Sequence, residues 1–306
     1  MSAAARALAD RIVRSGARRV AFLGLAKNSG KTTALVSTLA ALHAMGLPAG
    51  ATSAGRDGED FDALTGEPKP RFRLWPGQLV ASAESTLSSA TFPFAILVRL
   101  PHSTRFGPVV VVRAEARGEL EVMGPSTAAQ TAETAAALEA QGVRIVLLDG
   151  AFGRRAFASA RVADGVVLAV GMSAGRSLES VLERARFALA LIGLPPPPAG
   201  RPLRVFDGAL TDELLHESPA EPGQALVARD FASIFLSSEE LRRLGNRDVA
   251  LGVEHPARLL AVTANPSAPG RQPLPAAQFF DALALAFPEI SLFDVQANLQ
   301  RAVPSR

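Results

Sequence analysis

The most constraining stretch of this 306-residue chain runs from Arg19 to Val36. A short apolar run, Val20-Ala21-Phe22-Leu23, meets a glycine-bounded loop, Gly24 to Gly30, and then Lys31-Thr32-Thr33. An amphipathic segment follows, with Leu35, Val36, Leu39, Leu42 and Met45 on one face. That order predicts a buried strand, a tight loop and a helix ending at Gly46. Amide N–H groups from about Asn28 to Thr33 can then converge on an anion at the positive end of the helix. Lys31 is placed to reach β- and γ-phosphates, and the Thr32 hydroxyl to ligate Mg²⁺. Gly30 lets the backbone approach without a side chain between. The expected nucleotide contacts are Gly24, Lys27, Asn28, Ser29, Gly30, Lys31, Thr32 and Thr33.

Lysine usage sharpens this reading. The chain holds three Lys among its 32 basic residues, and two of them, Lys27 and Lys31, fall in this one loop. An ammonium is a compact, mobile point charge that a planar guanidinium does not replace.

The remaining composition removes several classes of function. There is no cysteine, so disulfides, thiolate catalysis and Cys-ligated metals drop out. The four histidines are scattered. The pI of about 10.1 is high, yet the net charge is only +3, and the basic residues form no dense run. Nucleic acid is not expected as a partner. The N-terminal residues read as an amphipathic helix and not a signal peptide, and no uncharged run is long enough to span a membrane. A cytoplasmic protein is expected.

Strand–helix alternation predicts an α/β fold, a mostly parallel sheet with helices on both faces. Strands are expected at 19–24, 48–53, 95–100, 144–148 and 165–170. Helices are expected at 126–141 and 176–192. Two β-hairpin insertions are expected, 69–82 turning at Trp75-Pro76-Gly77, and 109–123 turning around Gly118. The proline run from Pro195 to Pro198 divides a nucleotide-binding unit, 1–198, from a C-terminal α/β extension, 199–306, which can continue the same sheet.

Three further groups carry possible chemistry. Asp149 ends the apolar run Ile145-Val146-Leu147-Leu148 and precedes Gly150, the form of a carboxylate that holds Mg²⁺; the alternative is a cap on the next turn. Asp57, within Arg56-Asp57-Gly58-Glu59-Asp60, falls at the end of the second strand, where it can ligate Mg²⁺ or orient a water, or belong to a solvated loop. Arg154 and Arg155 can neutralise phosphate charge or serve as surface charge. Asp207 is a base-edge candidate, and Trp75 reads as packing. The expected catalytic set is Lys31, Asp57 and Asp149, with Thr32 and Asp149 on the metal, and ATP and Mg²⁺ as ligands.

Gly24 and Gly30 are separated by five residues, where the common phosphate-loop pattern has four. With this longer gap the loop resembles those of the dethiobiotin synthetase and cobyrinic acid synthase branch of P-loop proteins. Taken with Gly55 to Pro70, Leu147 to Ala151 and Ala261 to Pro269, the chain resembles P-loop proteins regarded as reactivating-factor subunits of the adenosylcobalamin-dependent lysine 5,6-aminomutase and ornithine aminomutase. That resemblance implies an ATPase that exchanges a damaged cobalamin, with an aminomutase and a second reactivase subunit as partners. The alternative is a ligase resembling dethiobiotin synthetase, phosphorylating a carboxylate or carbamate, with Lys27 and Arg56 beside the γ-phosphate. A GTPase switch is disfavoured because no Asn-Lys-x-Asp motif is present.

Overall fold

The computed structural model describes residues 2–53 and 71–303. Helix α1 (Ala3–Ser15) starts where the Ser2 hydroxyl accepts from Ala5 N–H, and it ends at Gly16 with positive φ. Strand β1 (Arg19–Gly24) leads to α2 (Lys31–Ala44) and β2 (Ala49–Ser53). Next come β3 (Arg71–Leu74), β4 (Leu79–Ala83), β5 (Phe94–Thr104), β6 (Gly107–Ala114) and β7 (Gly118–Glu121), then α3 (Ala128–Ala140), β8 (Ile145–Ala151), β9 (Gly165–Gly171) and α4 (Leu178–Ile192). A smaller unit holds β10 (Leu203–Phe206), β11 (Leu210–Thr211), α5 (Asp212–Glu217), β12 (Ala225–Ala228), β13 (Ile234–Phe235), α6 (Ser238–Asn246) and β14 (Ala250–Val253). The chain closes with β15 (Leu259–Asn265), α7 (Ala276–Ala286), β16 (Leu292–Asp294) and β17 (Leu299–Arg301).

Ten strands form one sheet in the order β17-β16-β15-β9-β1-β8-β2-β4-β6-β5. Every neighbouring pair from β16 to β4 is parallel, while β17, β6 and β5 are antiparallel additions at the two ends. This is the α/β class with a largely parallel mixed sheet. Its parallel strands are buried on both faces and so read as largely apolar runs. In β1, Val20 and Phe22 join a core shared with Leu8 and Ile12 of α1 and Leu35 and Leu39 of α2. Ala21 and Leu23, one residue out of phase, join the opposite core with Leu138, Val181 and Phe279 of α3, α4 and α7. Helices therefore cover both faces, and β1 lies in the interior of the sheet, between β8 and β9.

Both expected hairpins are corrected by the pairing. β3 does not pair with β4; it pairs antiparallel with β7, Phe72 opposite Leu120. β6 pairs with β4 and β5, and the hairpin that does form joins β5 to β6 through Arg105 and Phe106. Gln78 is the physical reason for the first difference. Its Oε1 accepts from Trp75 N–H and its Nε2 donates to the Leu39 carbonyl, so the turn steers the chain from one sheet to another. Gly118 explains the second. A Cβ there would lie 2.7 Å from the Phe92 ring, so this glycine permits close approach and does not mark a reversal.

At the proline run the chain leaves the large sheet for a three-stranded parallel one, β10-β12-β14. The run itself packs on that sheet: the Pro195 carbonyl accepts from Val253 N–H at 2.9 Å, and Gly252 leaves room for Pro197. The chain then returns at β15, which lies parallel to β9. Residues 259–301 thus belong to the large sheet, and the smaller unit is an excursion between α4 and β15. No described helix is long and apolar enough to cross a membrane.

Candidate functional site

Parallel strands end together at one edge of the sheet, and in open α/β sheets this carboxyl edge is where ligands bind. β1 ends at Gly24, opposite Ala151 of β8 and Ala169 of β9. Leu25 N–H extends the ladder by one bond, donating to the Ala169 carbonyl at 3.1 Å. The chain then turns back on itself. Asn28 has φ 61° and Gly30 φ 87°, and α2 begins at Lys31. Asn tolerates the left-handed region better than most residues, so the sequence supplies suitable residues at both positions.

Two glycines make this turn sterically possible. A Cβ on Gly24 would sit 2.4 Å from Ser29 Oγ and 3.0 Å from Lys31 Cδ. A Cβ on Gly171, at the end of β9, would sit 2.6 Å from Ser29 Cα. The loop therefore lies directly over the ends of β1 and β9. Ser29 is buried within it, and its hydroxyl has no hydrogen-bond partner among the described residues. Asn265, the last residue of β15, holds the loop from the other side by donating from Nδ2 to the Asn28 carbonyl at 2.9 Å. A side chain on Gly30 would press against Asn265 Cβ at 2.9 Å.

Asp149 sits near the end of β8, level with Phe22 of β1 and Ser53 of β2, and is only 6% exposed. Both of its oxygens face the start of α2. Oδ1 lies 2.8 Å from the Lys31 ammonium, and Oδ2 accepts from the Thr32 hydroxyl at 3.0 Å. Lys31 Nζ is also 3.4 Å from Thr32 Oγ1. Lys31, Thr32 and Asp149 thus meet although more than a hundred residues separate Asp149 from the other two. Lys27, Asn28 and Thr33 are exposed on the outer side of the loop and the first turn of α2. Gly30 offers no side chain to cap α2, and the first amides of a helix have no partner within it.

The other expected positions divide. Asp57 and Arg56 lie outside the described residues, and Arg154 is in the 3-10 segment Phe152–Ala158 that follows β8. Arg155, in the same segment, is not surface charge: it is 7% exposed. Asp207 follows β10 on the small sheet, where its carbonyl accepts from Arg229. Trp75 stacks on His43 at 6.1 Å, which fits packing. Among the described residues no group of three or more His, Asp or Glu gathers. Asn265 and Gly171 went unread as site residues because each acts through a loop far away in sequence. The available signal was their common position, a polar or small residue ending an apolar strand.

No family model, curated protein or solved structure matches this chain.

Proposed function

We propose that this chain is a P-loop nucleoside triphosphatase that binds Mg-ATP at the junction of β1 and α2. The supporting observation is the pairing of Lys31 and Thr32 with the Asp149 carboxylate. A mobile ammonium, a hydroxyl and a buried carboxylate converge beside a helix N-terminus, on a loop whose glycines bring backbone close to any ligand above it. These residues fit the group. Asp149 and Thr32 offer two hard oxygen donors, and Mg²⁺ is bound through one or two protein oxygens with phosphate and water completing its shell.

In this reading the loop amides and the α2 N-terminus hold the phosphate chain, and Lys31 turns from Asp149 towards the β- and γ-phosphoryl oxygens. Thr32 and Asp149 would hold the ion, directly or through water. The ion, when bound, neutralises charge that develops on the transferring phosphoryl group.

The role we assign to this ATPase is reactivation of an adenosylcobalamin-dependent aminomutase, resting on the resemblance of four separate segments to reactivating factors. Nucleotide turnover would bias a two-state contact with the aminomutase and release its damaged cofactor. The test measures hydrolysis of ATP and GTP by wild type and Lys31→Ala, with and without an inactivated aminomutase. ATP turnover that disappears in Lys31→Ala supports the ATPase. Recovery of aminomutase activity only with protein plus ATP supports reactivation, and unchanged activity removes that role.

A further inference from the structure

Arg155 is a buried cation with no acidic partner among the described residues. Its guanidinium carbon lies 5.3 Å from the centre of the Phe152 ring and 4.5 Å from that of Phe235. Its Nε donates to the Phe231 carbonyl at 3.2 Å. A guanidinium carries five N–H donors. Here only Nε–H finds a protein acceptor among the described residues, which leaves the Nη edge unused. Burial alone lowers this group's pKa from its ordinary value, with no carboxylate to oppose the effect. Proteins seldom bury a charge in this way unless something pairs with it.

The surroundings show where that partner would come from. Arg155 belongs to the segment that continues β8 beyond Asp149, whereas Phe231 and Phe235 belong to the smaller unit, so Arg155 sits at the seam between the large sheet and the smaller unit. Phe152 is buried, and Phe235 is 48% exposed, one of the few large apolar residues left open. The two rings and the Phe231 carbonyl fix the orientation of the guanidinium plane, and a preset Arg fork favours two oxygens in one plane.

We infer that Arg155, walled by Phe152 and Phe235, is a binding site for a small oxyanion, a carboxylate or phosphate, at the seam between the large sheet and the smaller unit. This inference does not rest on the nucleotide reading. The ligand supplies the negative charge that the protein withholds, and it ties the smaller unit to the segment following Asp149.

The test uses the full chain carrying Lys31→Ala, which removes the loop's own ammonium. Thermal unfolding is followed as inorganic phosphate, or separately succinate, replaces chloride at constant ionic strength. We expect the midpoint to rise by about 2–5 °C at saturation with at least one anion. The arm that responds identifies phosphate or carboxylate as the preferred chemistry. Arg155→Met in the same background should abolish the rise. Should that variant fail to fold, Phe235→Leu carries the test, and at least a threefold higher anion concentration should be needed for half the shift. A flat response to both anions overturns the inference, as does an equal rise in Arg155→Met or an unchanged response in Phe235→Leu. None of these results bears on nucleotide binding at Lys31, which the hydrolysis assay reads independently.

Discussion

The Lys31 ammonium and the Asp149 carboxylate face each other at 2.8 Å, one from the first residue of α2 and the other from near the end of β8. The carboxylate is almost fully buried and the lysine side chain about one quarter exposed. The pair therefore links the interior of the sheet to the loop above it. Asp149 completes the arrangement by accepting from Thr32.

Replacing Asp149 with Asn keeps the shape and removes the charge. The proposed site then loses its ion ligand while Lys31 loses its anchor. We predict a fall of about 10²–10³-fold in nucleotide hydrolysis. Titration with Mg²⁺ should show a clearly higher requirement than in wild type. Circular dichroism should remain unchanged.

Gly171→Ala tests the seating of the loop on β9. The added methyl would meet backbone of Ser29, which cannot rotate away as a side-chain end could. The loop must lift. A loss of about 1–3 kcal/mol in stability is expected, the usual cost of overpacking, together with at least tenfold weaker nucleotide binding. Urea unfolding and calorimetric titration measure the two effects. Gly77→Ala is the control, because open space surrounds that residue, and its cost should be limited to its positive φ.

Asn265→Ala removes the amide that holds the Asn28 carbonyl, along with the bond its Oδ1 accepts from Ser267 N–H. The loop should loosen without a change in fold. We predict faster amide hydrogen exchange over residues 25–30, with exchange in β9 unaltered. Unchanged protection of the loop would mean that Asn265 does not restrain it.

Much of the large sheet could be read from the chain, and the reasons are local. β1, α2 and β9 carry period and punctuation that leave little choice: apolar runs closed by Gly24 and Gly171, and a helix before Gly46 that buries Leu35, Leu39 and Leu42. The Lys31–Thr32 pair of the candidate site stands out in its loop, and Asp149 stands out because it follows a buried run; the structure brings the three together. Pairing was the weak point. Nothing local indicates that β3 crosses to β7, since that depends on Gln78 reaching Leu39 in a helix thirty-nine residues earlier. Gly118 and Gly171 look like ordinary turn residues until the neighbours that crowd them are known. Arg155 looked like surface charge in an arginine-rich chain because its aromatic neighbour Phe235 lies far along the sequence, in the smaller unit.

The Arg19–Glu139 pair fixes a pH effect away from the site. Arg19 donates from Nε and Nη2 to the two carboxylate oxygens of Glu139, at 2.9 and 2.7 Å. That hydrogen bonding is the largest influence on Glu139 and outweighs burial, so its pKa lies below the ordinary 4.5. A carboxylate with a lowered folded pKa adds stability that is fully present above its unfolded value. This stability is lost as pH falls through the folded one. Wild type should exceed Glu139→Gln in stability at pH 7, and the gap should close below about pH 4. Paired urea titrations between pH 7 and pH 3 measure it. A gap independent of pH would mean that the pair acts through shape alone.

We propose that Lys31, at the start of α2, binds a Mg-triphosphate together with Thr32 and Asp149. Calorimetric titration of Mg-ATP into wild type and Lys31→Ala tests it most directly. We predict saturable one-to-one binding by wild type and a loss of roughly 10- to 150-fold in Lys31→Ala, the worth of one charge-assisted hydrogen bond. Equal affinity in the two proteins, or no binding by wild type, would mean that Lys31 does not hold a triphosphate.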